Sequence, residues 1–151
     1  MYLVDTNIIS AAAPSKRGVP GELVVWLANA SHALFLSVVT AAEVQAGIAK
    51  ALREGATAKA AALLNWWQAI EHLYGERILA MDRETARAAG QILDEARAAK
   101  HRPDFADVVI AATARARGLT VLTRNVRHFA PLGVPLLNPF QALPAPPESA
   151  R

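Results

Sequence analysis

Short apolar runs rich in strand formers alternate along this chain with longer stretches of helical periodicity, and no other feature restricts its possible folds so strongly. The runs are Tyr2-Leu3-Val4, Ala33 to Val39, Arg77 to Met81 and Leu119 to Thr123, with a weaker one at Pro135 to Asn138. Runs this short and this apolar read as buried strands. Strands that alternate with helices imply parallel βαβ units with right-handed crossovers. The expected fold class is therefore α/β, a three-layer α/β/α sandwich with a mainly parallel central sheet. In such sheets function gathers at the carboxyl ends of the strands.

Caps and periodicity bound the helices. Ile8 to Ala13 makes a helical turn before Pro14, and Pro14 to Gly18 forms a basic loop. Glu22 to Ala30 reads as a helix with Leu23, Val24 and Leu27 as its stripe. Thr40 is a good N-cap, with Glu43 as a capping-box partner, for a helix that carries Val44, Ile48 and Leu52 and ends near Gly55. Ala56 to Tyr74, with Leu63, Leu64, Trp67, Ile70 and Leu73 in period, should fold back on it as a helical hairpin. Asp82 caps Arg83 to about Lys100, whose apolar face includes Ala86, Ala89, Ile92, Leu93 and Ala96. Pro103 and Asp104 start the next helix, which runs to Arg117 and stops at Gly118. One domain over residues 1–140 is expected, and the Pro/Ala/Ser-rich residues 141–151 read as a disordered tail.

With 151 residues, the chain is long enough to bury about 70% of its unfolded surface without covalent staples. The absence of cysteine excludes a disulfide scaffold, a Cys-type zinc finger, a thiolate nucleophile and an iron–sulfur site. Asp5 interrupts the N-terminus, so it reads as neither signal peptide nor anchor, and a cytoplasmic protein is expected. Sixteen Lys and Arg against 13 Asp and Glu leave +3, which permits a polyanionic partner without requiring one.

The few acids are informative by position. Asp5 stands where the first strand ends, Thr123 and Asn125 where the fourth does, and Glu43 and Asp107 in the first turns of helices. Four segments thus bring oxygen ligands toward one edge. Local roles compete with chemistry at most of these positions. Asp5 and Asp104 suit caps, and Glu43 suits the capping box. Asp107 is harder to explain locally, because Val108-Val109-Ile110-Ala111-Ala112 behind it must be buried, and a carboxylate beside a core needs a cation, a donor or a metal. Asp82 and Asp94 fit a cap and a solvated face. His32, His72, His101 and His128 have no ligand-like spacing and read as surface or packing residues. Trp66-Trp67 reads as hairpin core and interface rather than a base-stacking pair. An oxygen-only, carboxylate-rich set suits a hard cation such as Mg²⁺ or Mn²⁺. Such an ion can polarise a phosphodiester and activate water.

Asp5-Thr6-Asn7 after an N-terminal strand, Glu43 in Thr-Ala-Ala-Glu-Val, Asp107 in Asp-Val-Val-Ile-Ala-Ala-Thr-Ala, and Thr123-Arg124-Asn125 before His128-Phe129 together resemble the PIN-domain ribonucleases. Within them the chain looks like the VapC-type toxins of bacterial toxin–antitoxin pairs, from Met1 to about Phe140. The resemblance implies a Mg²⁺- or Mn²⁺-dependent endoribonuclease in which Asp5, Glu43 and Asp107 hold the metal. Asn125 falls at a fourth position that is often Asp, so the site has one negative charge fewer. Asp104, one turn before Asp107, is a candidate to supply it. Thr6 and Thr123 match hydroxyl positions that bond the carboxylates or a metal-bound water. The resemblance further implies a homodimer, for which Trp66, Trp67 and Ile70 of the hairpin are the candidate contacts. It also implies a cognate antitoxin that puts a basic side chain into the acidic site. RNA contacts are expected from Lys16, Arg17, Lys100, Arg102, Arg124 and Arg127.

Two other readings stand beside it. A receiver-like Mg²⁺-binding signalling domain would need paired early acids, an acid ending a middle strand and a late lysine; the chain lacks the pair, Asp82 reads as a cap, and Lys100 is its last lysine. A non-catalytic PIN-like module for RNA or partner binding is disfavoured by acids at three of the four positions.

Overall fold

The structure is a computed structural model that describes residues 1–145, apart from 15 and 17. One parallel sheet of five strands has the order β3-β2-β1-β4-β5, with β1 at Tyr2–Val4, β2 at Leu34–Ser37, β3 at Ile78–Leu79, β4 at Thr120–Leu122 and β5 at Leu136–Leu137. The first strand made becomes the central one, with Leu3 opposite Phe35 on one side and Val121 on the other. The chain grows outward from β1 to β3, then returns to lay β4 and β5 on the opposite flank. Connections that leave the centre in opposite directions open a crevice at the carboxyl ends of β1 and β4.

Alternate side chains of each strand enter opposite helical layers. Val4, Leu34, Leu36 and Leu122 are buried with residues of α1 (Thr6–Ile9), α2 (Gly21–Asn29), α3 (Val38–Arg53) and α4 (Thr57–Tyr74). Leu3 and Val121 are buried on the other side with α5 (Arg83–Ala98), α6 (Phe105–Arg117) and α7 (Val126–Phe129). The expected three-layer sandwich is thus the observed one. Asp82 and Asp104 cap α5 and α6 as expected, accepting from Thr85 N at 2.9 Å and Ala106 N at 2.8 Å. Gly118 closes α6 at φ +62°, a left-handed conformation that a β-carbon would disfavour.

Several expectations need correction. β2 stops at Ser37, whose hydroxyl accepts from Val39 N at 3.2 Å and caps α3. Helix therefore replaces strand at Val38 and Val39, because a cap outweighs the strand preference of two valines. Thr40 then lies inside α3, fully buried, so the capping box with Glu43 does not form. On α2 the inner position belongs to Trp26 while Val24 faces out, and on α5 Thr85 and Ala88 are inside while Ala86 is exposed. Leu64 and Leu73 of α4 are exposed as well, and Leu52 of α3 with them. Trp67 is wholly buried within its own chain, so it offers nothing to a second copy; Trp66 and Ile70 remain partly exposed. The tail was expected to begin at residue 141, yet the Pro144 carbonyl accepts from Trp26 Nε1 at 3.0 Å, giving a buried indole its partner. The rest of that expectation, residues 146–151, lies outside the described residues. No helix among the described residues is long and apolar enough to cross a membrane.

Candidate active site

Asp5 follows β1 directly, and its backbone N–H donates to Leu122 O at 3.0 Å, extending the central ladder by one rung. The side chain is therefore fixed at the crevice mouth, only 5% exposed. Its Oδ2 accepts from Thr123 Oγ1 at 2.7 Å and from Asn7 Nδ2 at 2.5 Å. Burial pushes the Asp5 pKa up from 3.8 to about 6; the Thr123 hydrogen bond opposes the rise, and the nearby charges of Asp107 and Glu43 add to it. A buried carboxylate with two further acids in electrostatic range attracts cations.

Thr123 is fully buried and serves three partners. Besides donating to Asp5, its oxygen accepts from Asn125 N at 2.9 Å and Asn7 Nδ2 at 3.2 Å. Asn7 completes a small lattice by accepting from Arg124 N at 3.1 Å. Its importance was not legible in the sequence, since its partners lie 116 and 117 residues away. The Asp-Thr-Asn triplet was the only signal. Asn125 starts α7, and its side chain makes no cap hydrogen bond and is exposed.

Glu43 stands on the exposed side of α3 and accepts a hydrogen bond from Thr6 Oγ1. Thr6 Oγ1 is also 3.0 Å from Thr40 Oγ1. One hydroxyl proton cannot serve both neighbours, so the satisfiable arrangement runs from Thr40 to Thr6 to Glu43. Both threonines expected to bond carboxylates therefore do so, Thr6 to Glu43 and Thr123 to Asp5.

Asp107 occupies the first turn of α6, with 19% of its side chain exposed. Burial raises its pKa, the charge of His128 opposes the rise, and Asp104 adds to it. His128 Nδ1 lies 3.5 Å from Asp107 Oδ2, so this histidine belongs at the site edge and is more than surface filler. Asp104 uses one oxygen as the α6 cap and is exposed. Among the described residues, no three acidic or imidazole side chains stand close enough together to enclose a metal ion. Glu43 is held toward Thr6, while Asp5 faces Asn7 and Thr123.

The cationic candidates lie in separate depressions that reach the site. Lys16 lines one with Thr6 and Glu43, Arg102 and Arg127 line another with Asp107, and Arg124 shares a third with Asn125. Lys100 lies two residues beyond the end of α5, with φ +59°. Arg17 lies outside the described residues.

Residues 2–132 match the PIN domain family. Toxin FitB of Neisseria gonorrhoeae is 35% identical over 142 residues, covering 93% of this chain and 99% of that protein. VapC ribonuclease Y4jK of Sinorhizobium fredii is 30% identical over 145 residues, covering 93% and 99%. The crystal structure of FitAcB from Neisseria gonorrhoeae superposes with a TM-score of 0.81 at 34% identity, covering 93% of this chain and 99% of that one. A receiver-like domain is excluded by the family match, and Asp82 serves as the α5 cap. With its sheet, its strand-end acids and these relatives, the chain belongs to the PIN-domain family.

Proposed function

We propose that this protein is a metal-dependent endoribonuclease and the toxin of a toxin–antitoxin pair. The observation that carries this reading is Asp5, a buried acid clamped by Thr123 and Asn7, with Asp107 and Glu43 near enough to raise its pKa. Such an arrangement is costly to a fold unless a cation meets it. The donors are all oxygens, which fits Mg²⁺ or Mn²⁺. Mg²⁺ commonly keeps several waters and takes only one or two carboxylates, so the spacing of these acids is compatible with it. Asp5 and Asp107 would hold the ion, with Glu43 joining once it leaves Thr6 or acting through water. When bound, such an ion polarises a phosphodiester oxygen and activates water for in-line attack.

The chain's own groups orient the reaction. Thr123 and Asn7 prevent Asp5 from rotating, Asn125, whose backbone N–H is held by Thr123, would offer an uncharged oxygen, and Asp104 adds negative charge next to Asp107. Lys16, Arg102, Arg124 and Arg127 offset the substrate's phosphates around the acids. No protein nucleophile is required. Relatives named toxin FitB and VapC ribonuclease support both halves of the reading. A cognate antitoxin silences the site by inserting a basic side chain among the acids, and a homodimer forms through the α3–α4 hairpin using Trp66 and Ile70. The protein acts in the cytoplasm, where its RNA is.

The test is RNA cleavage by purified protein in Mg²⁺ or Mn²⁺, compared with Asp5→Asn, Asp107→Asn and EDTA. Loss of cleavage in all three is expected. Cleavage that survives either substitution, or that ignores EDTA, overturns the mechanism.

A further inference from the structure

We infer that the depression at the carboxyl ends of β4 and β5 is a nucleobase pocket that selects guanine beside the scissile phosphate. It is an open hollow of about 560 Å³, lined by Arg124, Asn125, Arg127, Asn138 and Gln141 among others. The inference rests on the nuclease reading and deepens it by naming what the enzyme reads. Asn125 belongs to both the hollow and the candidate site, and its backbone N–H is tied to Thr123, which bonds Asp5. His128 also lines the hollow and stands 3.5 Å from Asp107, so a base seated here adjoins the acids.

The chemistry of the walls is unusual for a plain surface. The Arg124 guanidinium carbon lies 4.4 Å from the Phe140 ring centre, so one face of this cation is covered and its plane is held. Its backbone is pinned as well, by the hydrogen bond from Arg124 N to Asn7. Arg124 is nevertheless exposed, which leaves the second face as a platform on which a base can stack. Asn138 Oδ1 is already engaged, accepting from Phe140 N at 3.0 Å. That oxygen is thus partly spent, and the two Asn138 amide N–H donors are the groups best placed to address a ligand. Arg127 contributes donors alone, while Gln141 can present its amide in either sense. The hollow is thus rich in donors around one stacking surface. Guanine offers two adjacent acceptors, O6 and N7, whereas adenine places an amino donor where O6 would be. Donor-rich walls accept the first and reject the second.

The experiment compares short single-stranded RNAs that differ only at the nucleotides flanking the cleavage site. Binding is followed by fluorescence anisotropy with full-length Asp107→Asn protein, and cleavage is followed with the unmodified protein in Mg²⁺. At one flanking position guanine should be favoured over adenine by at least about tenfold. Inosine, which keeps O6 and N7, should behave as guanine, and 7-deazaguanine should lose most of the preference. Arg124→Lys and Gln141→Ala should each shrink the guanine-to-adenine ratio by about three- to tenfold, whatever their overall rate. Equal binding of all bases, or selectivity that both variants retain, overturns the pocket. Selective binding without metal-dependent cleavage instead overturns the nuclease reading and supports the pocket.

Discussion

The two helical layers hold the sheet by different means, and they deliver the acids differently. The α5–α6 layer is built on small side chains, with Ala88, Ala89, Ala96, Ala111, Ala112 and Ala114 all buried. Helices approach closely over alanine, so this layer is a stiff wall, and Asp107 is set into it with most of its side chain covered. The α1–α4 layer uses large residues such as Trp26, Trp67 and Tyr74, and it leaves a hollow of about 350 Å³ between α3 and α4. Glu43 sits at the rim of that hollow, exposed, and its hydrogen bond in the structure comes from one threonine. One acid is therefore preset and the other is adjustable. Asp5, on the sheet between them, is the most constrained of the three.

Substitutions can break that contrast, and the largest effect falls on the preset acids. Asp107→Asn and Asp5→Asn should each lower metal-dependent RNA cleavage by about 10²–10³-fold or more. Glu43→Gln should cost clearly less in the same assay, because an adjustable ligand can be replaced by water; equal losses at all three would erase the distinction between the layers. Asp5→Asn should at the same time stabilise the metal-free fold. Asp5 has a folded pKa of about 6 against an ordinary 3.8, so between these values the folded chain holds the extra proton. Its contribution is fully present below about pH 4 and is lost as pH rises through about 6, leaving a deficit of roughly 3 kcal/mol at neutral pH. Thermal melts in EDTA from pH 4 to 7 should show this decline in the natural protein and its absence in Asp5→Asn.

Smaller effects sharpen the comparison through packing. Ala112→Leu, forced into the alanine wall, should destabilise by about 1–3 kcal/mol in denaturant titration. Thr123→Val should cost a similar amount, since it strips Asp5, Asn7 and Asn125 of a buried partner at once. Leu64→Ala, on the exposed side of α4, should change stability by about 0.5 kcal/mol or less. A large cost there would show that the α1–α4 layer is as tightly built as the α5–α6 one.

What could be read in advance divides along the same physical line. α6 was legible almost to the residue, because the Asp104 cap, the apolar run and the Gly118 stop are all local. The strand-end positions of Asp5 and Thr123 were legible for the same reason. The start of α3 was not, because Val38 and Val39 prefer strand and only the Ser37 hydroxyl tips them into helix. The tie between Thr6 and Glu43 spans 37 residues, and that between Asp5 and Thr123 spans 118. Family motifs could mark these residues as important, but only the folded chain brings their atoms together. His128 stood within a family motif yet read as a surface or packing residue, because an isolated histidine carries no spacing signal, and only the fold sets it beside Asp107.

The sheet order also has a temporal side. β1, which ends just before Asp5, is synthesised ahead of the other four strands, yet its neighbour β4 follows some 118 residues later. Long-range parallel pairing is slow to form and cannot begin until both partners exist. A nascent or truncated chain that stops before Leu122 has neither the backbone rung that seats Asp5 nor the hydroxyl that locks it. The acids therefore assemble only after β4 has been made, so a chain still short of Leu122 on the ribosome holds them apart.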